Sequence, residues 1–237
     1  MYPIVIFGGF LSYARMYQDF REGVASITGQ SVYVVNVQGY DWIPAINYSG
    51  WVKLLDKLDR IVLQAASQSV SGKIILVGHS AGGVLARLYL SPRPFLGQVY
   101  HGLDHVGCLI TLGSPHYSRG GLRHGGTMSR WMEKHFPGAY FSPQIKYISV
   151  AGKYLRGDKN RPGFSRWAYN TYRSLCGDGS AWGDGLIPVE SALLKGSEQI
   201  ILEGISHYRI FGEPWYGSIE AIPLWLKAEW KSITRIG

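Results

Sequence analysis

Six short stretches of the chain are continuously apolar and rich in β-branched residues: 3–7 (PIVIF), 32–36 (VYVVN), 73–78 (KIILVG), 107–112 (GCLITL), 146–151 (KYISVA) and 199–203 (QIILE). None alternates strictly between apolar and polar positions, so the pattern predicts strands covered on both faces. Between them the period becomes helical. Met16/Tyr17, Phe20, Val24 and Ile27 recur at helical steps between the first two strands. Val52, Leu54/Leu55, Leu58, Ile61/Val62 and Ala65/Ala66 do the same between the second and third. GGVLARLYL, after Ser80, predicts an apolar helix that stops before Pro92, and 219–230 predicts a last one. Alternating strands and helices predict an α/β fold: a mainly parallel sheet of about six strands, with right-handed crossovers and helices on both faces. Ligands of such sheets sit outside the carboxyl ends of the strands.

Two connections are long. One spans 37–51; the other follows the fourth strand and resumes after the fifth. Loops of that length inside a compact domain are usually functional. The reading is one domain, 1–237, with a lid or insertions within 116–173. With 46% hydrophobic and 17% charged residues the chain can bury a sizeable core, and 31 glycines without a Gly-X-Y period predict many tight turns. No run approaches the ~20 apolar residues of a spanning helix. The start, MYPIVIFGGF, reads as a strand at once, with no secretory leader pattern. Two cysteines, Cys108 and Cys176, support neither a disulfide framework nor a Cys-based zinc site, and suit a reducing compartment such as the cytoplasm.

Charge changes the picture in one place. Of the net +8, residues 116–173 hold +9 and the remainder −1. Trp131, Phe136, Tyr140, Phe141, Tyr154, Phe164, Trp167, Tyr169 and Tyr172 interleave with those Lys and Arg residues. Interleaved basic and aromatic side chains suit an anionic lipid surface, where rings sit at headgroup level. A solvated Arg-rich insertion has the same composition. No nucleic-acid module is recognisable, so nucleic acid is not an expected partner.

The candidate chemistry begins at Gly78-His79-Ser80-Ala81-Gly82, a G-x-S-x-G motif between a strand and a helix. A sharp strand-to-helix turn needs small neighbours so that the serine hydroxyl stands clear of the sheet. Ser80 is the candidate nucleophile. The helix start at Ala81 supplies a free N–H for an oxyanion. A second donor comes from the loop after the first strand, Gly8-Gly9-Phe10, with the Phe10 N–H preferred. In the chain order Ser, acid, His, the base is His207, the only histidine after residue 135. The acid is Asp184, anchored by the apolar run Leu186–Val189, with Asp178, Asp158 and Glu203 as alternatives. GGFLSY lacks the third glycine of a dinucleotide motif, and no His/Asp/Glu cluster has ligand spacing. No cofactor or metal is expected.

VIFGGF, LVGHSAGG, TLGSPH at 111–116, GDGLIPVESALL and EGISH follow one another in the order of α/β-hydrolase lipases. The set resembles lipase-like hydrolases of cyanobacteria and plant plastids, and more distantly triacylglycerol lipases and GPI-inositol deacylases. The resemblance runs from about residue 3 to 230 and implies a triad of Ser80, Asp184 and His207. It implies an acyl-lipid or ester substrate and a peripheral position on an internal, thylakoid-like membrane. Many such lipases carry His-Gly where this chain has Gly8-Gly9, so the side chain that often braces that loop is missing. His116 matches a motif histidine and reads as structural or pocket-lining, with a direct part in catalysis as the alternative. Three functions compete: a carboxylic ester hydrolase acting through an acyl-enzyme, an acyltransferase or thioesterase using the same intermediate, and a catalytically silent lipid- or protein-binding fold.

Overall fold

A computed structural model describes residues 2–119 and 126–226. Eight strands are numbered in chain order: β1 Ile4–Phe7, β2 Val32–Val34, β3 Ile74–His79, β4 Val106–Leu112, β5 Lys146–Lys153, β6 Leu155–Arg156, β7 Trp182–Gly183 and β8 Glu198–Glu203. Seven helices join them: α1 Gln18–Thr28, α2 Tyr48–Ala66, α3 Ala81–Tyr89, α4 Gly102–His105, α5 Gly126–His135, α6 Phe164–Cys176 and α7 Val189–Ala192. The six expected strands form one sheet in the order β2-β1-β3-β4-β5-β8. Every pairing in it is parallel. β6 and β7 form a separate antiparallel ribbon.

Continuous apolar strands work here because both faces of the sheet are covered. Val5, Phe7, Leu76 and Leu109 face a cluster supplied by α2, α3 and α5, with Trp51, Leu54, Leu58, Met132 and Phe136. Ile4, Ile6, Ile75, Val77 and Ile110 face the opposite cluster, with Phe20, Val24, Trp215 and Trp225. β8 departs from the expectation. It lies at the sheet edge, where Glu198, Gln199 and Ile201 are exposed. Charged residues on a wet edge discourage pairing with another chain.

The connection at 37–51 is also shorter than its sequence suggested. A 3₁₀ segment covers Gly39–Ile46 and α2 starts at Tyr48. The 116–173 region contains β5 at its middle, with α5 before it and α6 beginning in its later part. Helix α5 packs on α3 and sends Met128 and Met132 into the main core, with Phe136 following just past its end. Exposed aromatics of the region concentrate instead at Tyr140, Phe164 and Trp167. The last helix is present at 222–226; 227–230, and 120–125 of the basic region, lie outside the described residues.

The strand order reverses between β1 and β3. At such a switch point the following loops diverge and leave a crevice at the carboxyl edge. The loop Gly8-Gly9-Phe10 leaves β1 there, and Ser80 leaves β3 beside it.

Candidate active site

Ser80 is the N-cap of α3 and has φ 55° and ψ −130°. A non-glycine residue in that region costs about 1–3 kcal/mol and persists only where its surroundings hold it. They do so closely. The Ser80 N–H donates to the Leu112 carbonyl at 2.9 Å. A Cβ on Gly78 would lie 2.4 Å from Gly83 Cα, and one on Gly82 would lie 2.4 Å from the carbonyl oxygens of Phe7 and Gly8. Only glycine permits this approach of helix to sheet.

His207 follows β8 in a loop, and its Nε2 stands 3.0 Å from Ser80 Oγ. Its Nδ1 stands 2.8 Å from Asp184 Oδ2. The His207 N–H also donates to the Asp184 carbonyl at 2.8 Å, so backbone and ring are tied to the same residue. Asp184 is fully buried, yet its charge is well solvated by protein dipoles. Oδ1 accepts the N–H groups of Leu186 at 2.9 Å and Ile187 at 2.7 Å. Oδ2 accepts the Tyr216 hydroxyl at 2.9 Å as well as the His207 ring. Tyr216 in turn accepts the Gly152 N–H at 2.6 Å, which leaves its proton for the carboxylate. Burial, then the Asp184 charge, raise the Tyr216 hydroxyl well above its ordinary range. It therefore remains a donor. With Asp184 accepting at Nδ1–H, Nε2 is left to accept the serine proton.

Ser80, Asp184 and His207 are thus brought together. Asp178 is not among them: it is exposed, and its Oδ1 accepts the Ser180 N–H at 2.8 Å in a local turn. The two proposed oxyanion donors flank the serine. Ala81 N–H opens α3 and has no acceptor one helical turn back. The Gly9 backbone touches the serine so closely that a Cβ there would lie 2.6 Å from Ser80 Cβ. The Phe10 N–H follows on that loop, and its ring is about half exposed.

His116 is completely buried on another errand. Arg87 Nη1 donates toward its Nδ1 at 3.4 Å, which places the ring proton on Nε2, 3.0 Å from Thr111 Oγ1. Burial, then Arg87, hold it well below the ordinary histidine range. Its ring bonds to Arg87 and Thr111, not to Ser80, Asp184 or His207. Two tyrosines that do matter had no sequence signal. Tyr216 lies in an unpatterned turn, and Tyr17 reads as one more apolar position of a helix.

A family model described as a PGAP1-like alpha/beta domain matches residues 49–128, from α2 past the Ser80 turn. Comparison with curated proteins finds no match. Among solved structures, an α/β-hydrolase enzyme from the sediment metagenome of the Mar Chica lagoon, Morocco, is 15% identical with a TM-score of 0.53, over 98% of this chain and 92% of that one. Aspergillus fumigatus lipase B is 11% identical, TM-score 0.47, over 64% of this chain and 37% of its own. Tomato methylketone synthase I, complexed with 2-tridecanone, is 11% identical, TM-score 0.46, over 99% and 97%. The chain has the α/β-hydrolase fold, on the strand order described above and the whole-length likeness to the metagenomic enzyme.

Proposed function

We propose that the protein is a serine hydrolase that cleaves carboxylic esters of acyl lipids. The observation that carries this reading is the unbroken path from Ser80 Oγ through His207 to Asp184, at 3.0 and 2.8 Å, on a strained serine at a helix start. Ser80 Oγ attacks the ester carbonyl carbon as His207 Nε2 takes its proton. Asp184 holds the ring in the tautomer that can accept it and stabilises the imidazolium. Negative charge develops on the carbonyl oxygen, where the N–H groups of Ala81 and Phe10 receive it. His207 returns the proton to the leaving alcohol, and the C–O bond breaks to leave an acyl-Ser80. Water, deprotonated by the same ring, then releases the acid.

The acyl-lipid part rests on the rim of the carboxyl edge. Phe10, Leu11, Tyr40 and Ile43 are exposed on the loops after β1 and β2. Phe211 lies 6.1 Å from the His207 ring and stacks at 5.3 Å on the exposed Trp167. Lys159, Arg161 and Arg166 sit exposed around that tryptophan. An apolar rim with basic residues beside it suits an ester presented by an anionic membrane. The same acyl-enzyme serves an acyltransferase or thioesterase if an alcohol acceptor or a thioester replaces water or ester.

The test is a panel of soluble esters, phospholipids, galactolipids and thioesters, run with and without an acceptor alcohol. Fluorophosphonate should label Ser80. Ser80→Ala should lose both labelling and hydrolysis, by about 10⁶-fold in kcat. Labelling or hydrolysis that survives in Ser80→Ala would place the nucleophile elsewhere.

A further inference from the structure

Neither Gly8 nor Gly9 has a side chain to brace the oxyanion loop, and Gly8 could not carry one. A Cβ there would lie 2.6 Å from Tyr17 Cε2, because the Tyr17 ring already occupies that space. Tyr17 comes from the 3₁₀ turn Ala14–Tyr17 that leads into α1 and is fully buried. Its hydroxyl accepts the Gly9 N–H at 3.0 Å and stands 2.8 Å from His79 Nδ1. His79 Nε2 stands 3.0 Å from the carbonyl oxygen of His207.

Each proton in this path has one place. A carbonyl only accepts, so Nε2 carries the His79 proton and Nδ1 is left as an acceptor. The Gly9 N–H only donates, so the tyrosine oxygen accepts it and gives its own proton to Nδ1. The result is one directed chain from the oxyanion loop to the backbone of the catalytic base: Gly9 N–H, Tyr17 O–H, His79 Nε2–H, His207 C=O. Burial, followed by the neighbouring His207, holds His79 well below the ordinary histidine range, which keeps it neutral. Burial likewise pushes the Tyr17 hydroxyl up to about 12. A second clamp acts one peptide further on. The Gly9 carbonyl accepts Ser12 N–H at 3.1 Å and Ser12 Oγ at 2.6 Å. A trans peptide is planar, so holding the Gly9 C=O also sets the direction of the Phe10 N–H in the same unit.

We propose that Tyr17 and His79 are positioning residues that lock the oxyanion loop to the catalytic histidine, so that the Phe10 N–H and the His207 ring keep a common frame around Ser80. This rests on the serine hydrolase reading. The hydrogen bonds of neither residue reach Ser80 Oγ or the His207 ring nitrogens, although the His79 ring packs on the His207 ring at 4.7 Å between centroids. They act by preorganisation: a donor aimed before charge develops costs no reorganisation during the reaction, and misplacement by about 1 Å can cost 100-fold.

Tyr17→Phe keeps the ring and removes only the hydroxyl. On a small soluble ester it should lower kcat by about 10- to 100-fold with KM within about twofold of wild type. His79→Gln, which retains a donor toward the His207 carbonyl but not the acceptor for Tyr17, should lose a similar factor. The double variant should lose little more than either alone, because one chain is cut in both. Tyr89→Phe removes a comparable buried hydroxyl, bonded to Asp59 far from the site, and serves as the stability control with kcat unchanged. An independent readout is the ¹⁵N spectrum of the His79 ring: Nε2 protonated, Nδ1 bare, and the Nδ1 shift displaced by Tyr17→Phe. Wild-type kcat in a folded Tyr17→Phe protein overturns the inference while leaving Ser80 as nucleophile. Fold-wide loss in Tyr17→Phe, with melting lowered and KM and kcat both degraded, overturns it as well, since that marks a packing role. If Ser80→Ala itself remains active, the failure belongs to the hydrolase reading, and the His79 spectrum still reports whether the chain of bonds exists.

Discussion

Asp184 shows how one buried charge is made tolerable and useful at once. A carboxylate at zero exposure is expensive unless its oxygens find donors, and here four are supplied: two backbone N–H groups, the Tyr216 hydroxyl and the His207 ring. Replacing it with asparagine keeps the volume but offers the wrong partner to Nδ1. Asp184→Asn should lower kcat by about 10⁴-fold, measured on a soluble ester, whereas Asp178→Asn should leave it near wild type. The reverse ranking would make Asp184 a turn residue. Tyr216→Phe removes one donor of four and should cost about tenfold or less in kcat. Ser80 and His207 were legible because motif, chain order and strand position all constrain them. Asp184 was legible as a preference, from the apolar run that anchors it. Tyr216, Tyr17 and the link through His79 were not legible, because nothing in a local pattern says which distant hydroxyl will meet a carboxylate or a loop amide.

At the scale of elements, the strands read clearly and the connections did not. Continuous apolar runs report burial on two faces, which only a covered sheet provides; β1, β3, β4 and β5 are buried in that way, and β2, at one edge, is half-buried. The run at 199–203 misled because edge position is a property of topology, not of the run itself. Helices α5 and α6 leave no clear period because Ser, Thr and Arg interrupt their apolar positions. Helix α5 is held by an unusual brace. Arg87 on α3 is 1% exposed and donates from Nη2 to the carbonyls of Phe136 at 2.7 Å and Gly138 at 2.9 Å, just past the end of α5. Arg87→Met should take the guanidinium from those acceptors and from His116 Nδ1 and destabilise the protein by roughly 2–4 kcal/mol. Urea unfolding checks this. A loss below about 0.5 kcal/mol, the ordinary scale of a surface change, would mean the guanidinium is dispensable there.

For the whole molecule, two properties follow from where charge is placed. His79 and His116 are both held below their ordinary range by burial. In the unfolded chain each takes up a proton as pH falls through about 6.5, while the folded protein does not. Stability should therefore be full above that pH and decline below it, by up to about 1.4 kcal/mol per pH unit for each histidine, until the folded-state values are reached. Denaturation between pH 5 and 7.5 measures this, and a flat profile would show that neither histidine is neutral for the reason given. The basic rim makes the second prediction. Each Lys or Arg near an anionic membrane contributes about 1 kcal/mol, screened by salt. Reversing Lys159, Arg161 and Arg166 to Glu should weaken binding to anionic vesicles and reduce activity on vesicles more than on a soluble ester. Equal loss on both substrates would mean damage to the fold instead. By itself the sequence determined the layers, the six strands of the main sheet and the three candidate residues that meet at Ser80, because burial on two faces and a tight strand-to-helix turn leave local marks. Only the tertiary structure decided which strands lie at the edges, that β6 and β7 form a separate ribbon, that α5 belongs to the core, and which hydroxyls support the site. Those depend on contacts between segments far apart in the chain, and such contacts leave no period in the sequence to read.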